Sequence, residues 1–149
     1  MKKLSFCCLA MAIAMLFASC ATTKTDLNPY EGDWEVVKFV NKGKSVTVVP
    51  ANLTIQAPNS VNVFAVAGNA GVNEFFGDVE ITDGNFKAHE NMGMTRKMGR
   101  GAAQTFEDAF MPAFMASTTA SVKGDTLTIS GENSKIVFER AAEIFVIEE

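Results

Sequence analysis

Most of this chain consists of short runs of β-branched and aromatic residues, and each run ends at a pair of turn-forming residues. β-Branched side chains pack well on a pleated strand and lose rotamer freedom in a helix. The pair Asp83-Gly84 separates two of these runs, and Gly124-Asp125 separates two others. Aspartate and glycine tolerate the positive φ that a two-residue hairpin turn requires. The pattern therefore predicts many short antiparallel strands joined by tight turns.

Prolines, glycines and asparagines set the boundaries of the predicted strands. Pro50 and the pair Pro58-Asn59 are expected to interrupt the first half of the sheet, because proline cannot donate a backbone hydrogen bond. The segment 61–66 is apolar on both faces near its end, which is typical of a central strand. Strands are predicted at residues 34–40, 46–49, 53–55, 61–66, 79–82, 85–87, 120–123, 126–130, 135–139 and 144–147.

One segment has helical rather than strand periodicity. Phe106, Phe110 and Phe114 recur every four residues, and Met111 and Met115 stand beside them. This spacing places the three rings on one face of a helix over residues 104–115. The predicted fold class is therefore α+β, mainly antiparallel β. It is one compact domain of short strands, a curved sheet or partly open barrel, with a single helix packed across it.

The ends of this helix are predicted from its polar residues. Thr105, with Asp108 three residues later, resembles a capping arrangement. The neighbouring carboxylates Glu107 and Asp108 are expected at the helix start, where the positive end of the dipole favours them. Pro112 is expected to kink the helix or to end it early, because it lacks a backbone N–H.

Residues 1–19 have the order of a bacterial secretory signal. Lys2 and Lys3 precede an apolar run of about 15 residues, shorter than the about 20 that a helix needs to span a bilayer. The segment 16–20 (Leu-Phe-Ala-Ser-Cys) resembles the lipobox of lipoproteins, in which cleavage precedes the cysteine and its sulfur receives a diacylglycerol. The alternative is an ordinary signal peptide with an incidental cysteine at Cys20.

The lipoprotein interpretation predicts a signal peptide at 1–19, a lipidated tether at 20–33 and a folded domain at 34–149. Ala21 follows the cysteine where an aspartate would favour inner-membrane retention, so the outer membrane is the expected location. Partners are then the membrane, through the N-terminal lipid on Cys20, and another protein of the envelope.

Cysteine and charge content exclude several kinds of function. All three cysteines lie at or before Cys20, so the mature domain has no disulfide framework, cysteine-ligated zinc or thiol nucleophile. The whole chain has 13 Lys and Arg against 17 Asp and Glu. Loss of Lys2 and Lys3 makes it more acidic still, which argues against binding to nucleic acid.

A series of motifs from Trp34 to Arg140 resembles the META-domain family, which includes the heat-shock-related lipoprotein HslJ. The segment 68–77 (Gly-Asn-Ala-Gly-Val-Asn-Glu-Phe-Phe-Gly) is similar to the family's G-x-x-G-C-N-x-[FY]-x-G. Residues 95–98 resemble its T-[RK]-M block, and Glu107 with Phe110 resembles the E-x-x-F opening of its helix. The segments 122–129 and 136–140 resemble its closing strands.

This chain departs from the family at its cysteines, because Val72 and Gly99 occupy the places where members often have them. A redox or disulfide role at those places is therefore excluded. The resemblance implies a compact antiparallel β domain with one helix and no established catalytic site. It also implies an association with envelope stress and drug tolerance, without a mechanism.

No residue set in the domain matches a known catalytic or phosphate-binding pattern. Gly68, Gly71 and Gly77 lack the spacing of a phosphate loop and are expected to serve turns and bulges at positive φ. Asn73 is expected to cap or bridge its turn. His89 is the only histidine, and no nucleophile motif accompanies it. The protein is therefore expected to be no enzyme and to need no cofactor.

Two features of the segment 89–100 allow a binding role. His89, Met92, Met94 and Met98 offer soft ligands that suit Cu(I), whereas methionines also fill gaps in a core. Arg96, Lys97 and Arg100 form a basic patch, which is either a solvated loop or a docking point for an acidic partner or lipid headgroups. The first functional hypothesis is a lipid-anchored envelope protein that binds another envelope component. The alternative is a carrier of a small ligand or of Cu(I).

Overall fold

The computed structural model describes residues 28–142, which form ten strands and one helix. The signal segment 1–19, Cys20, the tether up to residue 27 and the predicted strand 144–147 lie outside the described residues. The elements in chain order are β1 (Gly32–Asn41), β2 (Lys44–Val46), β3 (Asn52–Ser60), β4 (Val63–Asn69), β5 (Glu74–Thr82), β6 (Asn85–Ala88), β7 (Gly93–Met94), α1 (Gly101–Met115), β8 (Thr119–Lys123), β9 (Thr126–Ser130) and β10 (Ser134–Arg140).

Antiparallel pairing joins eight of the strands into a closed barrel in the order β1-β3-β4-β5-β6-β8-β9-β10. The first and last strands close the ring, pairing from Trp34 with Arg140 to Asn41 with Ser134. Two short strands lie off the ring, since β2 pairs with β1 and β7 pairs with β5. The predicted class is confirmed, and the barrel is closed rather than partly open.

Tight two-residue turns connect several of the strands, and one of them forms at Asp83-Gly84 as the sequence predicts. Asp83 and Gly84 both have positive φ, 49° and 81°, and connect β5 to β6. Lys42 and Gly43 turn β1 into β2 in the same way, with φ of 50° and 74°. A turn with two positive φ values matches the right-handed twist of the strands that it joins.

A bulge in β1 changes which of its side chains face the core. Trp34 and Val36 are buried, but the next buried residue is Phe39 rather than residue 38. The pairing with β10 shifts register between Val36 and Lys38. One extra residue at a bulge reverses the alternation, so Trp34 and Phe39 both point inward.

The helix crosses the barrel and fills it. It contacts the neighbouring strands β1 and β10 on one side of the ring and β6 on the opposite side. Phe106, Phe110 and Phe114 have no exposed surface, as the four-residue spacing predicts. They stack along the helix with ring centroids 5.3 and 6.0 Å apart. The rings of Phe39 and Phe86 approach them edge-on, at 5.8 Å from Phe106 and 5.4 Å from Phe114 respectively.

The helix ends differ from the prediction. The helix begins at Gly101, three residues early, and no side chain caps it. Thr105 donates its hydroxyl to the carbonyl of Gly101 instead of capping a start at 104. Pro112 does not end the helix, which continues to Met115. Pro112 lies on the exposed side of the helix, so water can bond the Asp108 carbonyl, which has no N–H partner at the proline. Burial of Phe114 stabilises the turn that follows.

Several strand boundaries also differ from the prediction: β2 ends at Val46, where a strand 46–49 is predicted to begin, and β5 begins at Glu74 rather than at residue 79. β3 continues through Pro58 to Ser60. The pairing with β4 shifts register on both sides of the proline, so the ladder needs no backbone N–H at this position. Val61 lies in the turn before β4 and is 87% exposed. β1 begins at Gly32, and Tyr30 packs edge-on against Phe64 at 6.3 Å. Part of the predicted tether therefore belongs to the barrel. Among residues 28–142, no helix has the length and apolarity to cross a membrane.

Candidate binding groove and the polar network beside it

An open groove of about 940 Å³ crosses the outer surface of β1, β3, β4 and β5. We call it the outer groove. Four polar residues, Glu35, Asn52, Asn69 and Glu74, are consecutive partners across these strands. Because neighbouring strands lie about 4.8 Å apart, the two glutamates are about 14 Å from each other along this row. The outer groove therefore has a carboxylate on each side and amides between them.

A second row, two residues further along the strands, gives the outer groove an apolar part. It consists of Thr54, Ala67 and Phe76, again consecutive partners. Phe76 is 58% exposed although it is a large aromatic residue. Its ring lies against Gly93 of β7, where any Cβ would overlap the ring. Gly93 thus holds a partly exposed aromatic ring beside the carboxylates.

In both side-chain amides of the outer groove, the oxygen accepts a hydrogen bond from the protein backbone. The Asn52 side-chain oxygen accepts a hydrogen bond from the Asn69 backbone N–H at 3.0 Å. The Asn69 side-chain oxygen accepts from the Gly71 N–H at 2.8 Å. Within residues 28–142, neither amide nitrogen donates to a protein group, and the Glu35 and Glu74 carboxylates form no ion pair. The groove therefore presents both donors and acceptors to a ligand.

Buried Asn73 fixes the wall beside the outer groove. Its side-chain oxygen accepts from the backbone N–H of Lys97 at 2.6 Å and from the Thr95 hydroxyl at 2.9 Å. Its side-chain nitrogen donates to the Lys97 carbonyl at 3.0 Å and to the Glu107 carboxylate at 2.7 Å. All four hydrogen-bonding positions of the amide are used. The prediction that Asn73 caps or bridges its own turn was wrong, because its side chain bonds residues of two other segments and so joins three segments of the chain.

Glu107 is the helix's contribution to this network. It is 5% exposed, and its carboxylate also accepts from the backbone N–H groups of Asn73 at 2.6 Å and Val72 at 3.2 Å. The prediction that Glu107 belongs to the helix start was wrong, because it lies in the second turn and faces the 70–73 turn. Asp108 beside it is exposed and accepts from Gln104 at 2.7 Å. The position of Glu107 in the helix gives no information about its partner Asn73, which lies 34 residues earlier in the chain.

The three glycines of the 68–77 segment have two different physical roles. Gly71 has φ of +107° and packs under Phe106, so it supplies the predicted positive φ. Gly68 and Gly77 have no positive φ. A Cβ at Gly68 would overlap the Asn52 carbonyl, and one at Gly77 would overlap the Met92 sulfur. These two glycines allow close approach rather than a turn.

The predicted soft-ligand residues occupy separate environments. Met92 packs on Gly77, and Met94 pairs with Phe75 in the ladder, so both cover the core. Met98 is 98% exposed. His89 is partly exposed and lines a shallow surface cavity with Lys87, Glu90 and Asn91. A Cu(I) site at these four residues therefore stays the alternative hypothesis, and the absence of stoichiometric copper binding stays the prediction.

The chain from residue 25 to residue 143 matches the model of the META domain. The chain belongs to the META-domain family. The resemblance found in the sequence is thereby confirmed. Of the residues that carry this resemblance, the segment 68–77 forms part of the outer groove, and Glu107 belongs to the buried network.

Two solved structures share the fold of this META domain. A protein from Burkholderia xenovorans, solved by NMR, is 17% identical, with a TM-score of 0.59 over 78% of this chain and 90% of that chain. A second protein solved by NMR is also 17% identical, with a TM-score of 0.50 over 69% of this chain and 87% of that chain. No curated protein matches this sequence. At this identity the structures support the fold and say nothing about a ligand.

Proposed function

We propose that this META-domain protein is a lipid-anchored, non-enzymatic component of the bacterial outer membrane that binds another envelope protein through the outer groove. The observation that carries this proposal is the contrast between a filled interior and an open exterior. The helix phenylalanines occupy the barrel with no exposed surface, whereas the outer groove offers about 940 Å³. A barrel that carries a small apolar ligand in its interior needs a cavity at the place that these rings fill.

The chemistry of the outer groove indicates the kind of segment that it binds. Glu35 and Glu74 attract Lys or Arg side chains, and the exposed ring of Phe76 suits an apolar or cationic side chain that packs on its face. The strands under the groove are already paired on both sides, so a partner cannot add a strand there. Recognition therefore depends on side chains, and the proposed partner presents a basic segment with an apolar residue.

The non-enzymatic part of the proposal is supported by the state of the one buried carboxylate among the described residues. Glu107 accepts three hydrogen bonds from fixed N–H donors and is almost fully enclosed. A general acid or base must be within reach of a substrate proton. Glu107 instead fastens the turn 70–73 to the helix and is a structural residue.

The anchor is tested by metabolic labelling with a palmitate analogue in a bacterial host. We expect the label on the wild-type chain and its loss in Cys20→Ser, with release of the domain from the membrane fraction. Cys8→Ser is the matched control, because it removes a cysteine from the signal segment and should keep the label. Equal labelling of wild type and Cys20→Ser would refute lipidation at this cysteine.

Binding in the outer groove is tested in cells by a photo-crosslinking amino acid at Ala67, in the middle of the groove. Val61, which is exposed in the turn before β4, is the control position. We expect a discrete protein adduct from position 67, with a basic residue in the crosslinked segment identified by mass spectrometry. The adduct should disappear with Glu35→Gln and Glu74→Gln together, and should persist with Glu90→Gln and Glu132→Gln. An adduct of equal yield at both positions, or one indifferent to the groove glutamates, would contradict the proposal.

A further inference from the structure

Residues 95–100, here called the basic loop, combine three exposed cationic side chains with one exposed apolar side chain. Arg96, Lys97 and Arg100 are all exposed. Met98 between them is 98% exposed, more than any other large hydrophobic residue of residues 28–142. No Asp or Glu occurs between Glu90 and Glu107, so the cations have no carboxylate in their own segment.

The basic loop is held in one conformation from its inner side. Asn73 bonds both the N–H and the carbonyl of Lys97, and the Thr95 N–H donates to the Glu74 carbonyl at 3.0 Å. The Gly99 N–H donates to the Gln104 side chain at 3.0 Å. These bonds use the backbone and leave the long side chains outside. A loop that is ordered before binding loses little conformational entropy on contact with a ligand.

From this geometry we infer that the basic loop binds the surface of a membrane that contains anionic lipids. Arginine and lysine bind the phosphates of headgroups, and an apolar side chain between them enters the boundary with the acyl chains. The exposed thioether of Met98 favours a lipid surface, because a membrane has a continuous apolar layer under its negative charge that this side chain can enter. The contact is distinct from the proposed acyl anchor and does not depend on it.

The rest of the domain restricts this contact to the basic loop. The chain is acidic overall, and charges separated by more than about 8 Å are largely screened at physiological salt. The domain therefore touches the membrane at one point rather than lying flat on it. Because the Glu74 N–H bonds the Thr95 hydroxyl at 3.1 Å, the loop adjoins the outer groove. Docking of the basic loop would hold that groove next to the lipid surface.

Vesicle binding by residues 21–149 tests the inference, since this part contains every described strand and the helix. The vesicles are phosphatidylcholine with and without phosphatidylglycerol, and binding is measured by co-sedimentation. Each cation near an anionic surface contributes about fivefold to the binding constant, so Arg96→Gln, Lys97→Gln and Arg100→Gln together should weaken it about a hundredfold. The matched control replaces Lys87, Lys123 and Lys135 with glutamine, which changes the net charge equally and should retain most of the binding.

Insertion of residue 98 distinguishes a membrane from other anionic partners. Residues 21–149 contain no cysteine, so Met98→Cys creates a single site for a polarity-sensitive fluorophore. Its emission should rise with phosphatidylglycerol vesicles, while the same label at Val61→Cys should not respond. Three results would overturn the inference: equal binding to both vesicle types, equal loss in the control triple variant, or no response at position 98 while phosphatidylglycerol vesicles are bound.

Discussion

Replacement of the Glu107 carboxylate by an amide is the sharpest test of the buried network. Glu107→Gln preserves shape but puts an NH₂ group where one carboxylate oxygen now accepts. In one orientation the new NH₂ group replaces the oxygen that accepts from the Asn73 side-chain nitrogen at 2.7 Å. In the other orientation it replaces the oxygen that accepts from the two backbone N–H groups of Asn73 and Val72. Either orientation of the glutamine opposes donor to donor. Asn73 cannot turn its amide over in response, because its oxygen holds Thr95 and Lys97.

The magnitude follows from the bonds that are lost. A hydrogen bond to a charged group contributes about 1.5–3 kcal/mol, and a buried donor left without a partner costs about 1–3 kcal/mol. Relief of the buried charge offsets part of this loss. We expect Glu107→Gln to lower the free energy of unfolding by about 3 kcal/mol. Domains of this size have about 5–15 kcal/mol in total, so the variant should still fold.

Urea unfolding followed by tryptophan fluorescence measures this change. Trp34 is the only tryptophan and is fully buried, so its emission reports on the barrel. With a urea m-value of about 1.5 kcal/mol/M, a loss of about 3 kcal/mol moves the midpoint by about 2 M. Asp108→Asn is the control, because this neighbouring carboxylate is exposed and its loss should change stability by less than about 0.5 kcal/mol. A Glu107→Gln midpoint that matches the Asp108→Asn midpoint would show that the Glu107 carboxylate does not stabilise the fold.

Three further predictions concern the core, the pH dependence and the soft-ligand residues. Phe110→Ala should cost about 3–5 kcal/mol in urea unfolding, as expected for a large aromatic residue removed from a core, whereas Met98→Ala should cost less than about 0.5 kcal/mol. Burial raises the pKa of Tyr30 above 10.0, so the folded chain holds this proton longer than the unfolded chain. The associated stability is present below pH 10 and falls as the pH rises through the folded value, and Tyr30→Phe should show a smaller fall over that interval. Titration of residues 21–149 with Cu(I) against a competing chelator should show no stoichiometric binding, and binding lost in a Met92, Met94 and Met98 triple replacement would instead support the carrier function.

Features that depend on neighbouring residues could be predicted from the sequence. The turn at Asp83-Gly84 depends on the φ values of two residues, and the apolar face of the helix depends on a four-residue spacing. Both are properties of a few consecutive positions, so no distant contact has to be known. The alternating strands and the single helix follow from the same local rules, which is why the fold class was predicted correctly.

Features that depend on distant partners could not be predicted in this way. Closure of the barrel pairs Trp34 with Arg140, and nothing in either segment specifies the other. The outer groove exists only because β1, β3, β4 and β5 lie side by side in one register. Glu107 shows the reason most directly: its local position suggested a helix start, but the free energy of a buried carboxylate is set by its hydrogen-bond donors. Those donors come from a turn 34 residues earlier in the chain, and only the tertiary structure brings them to it.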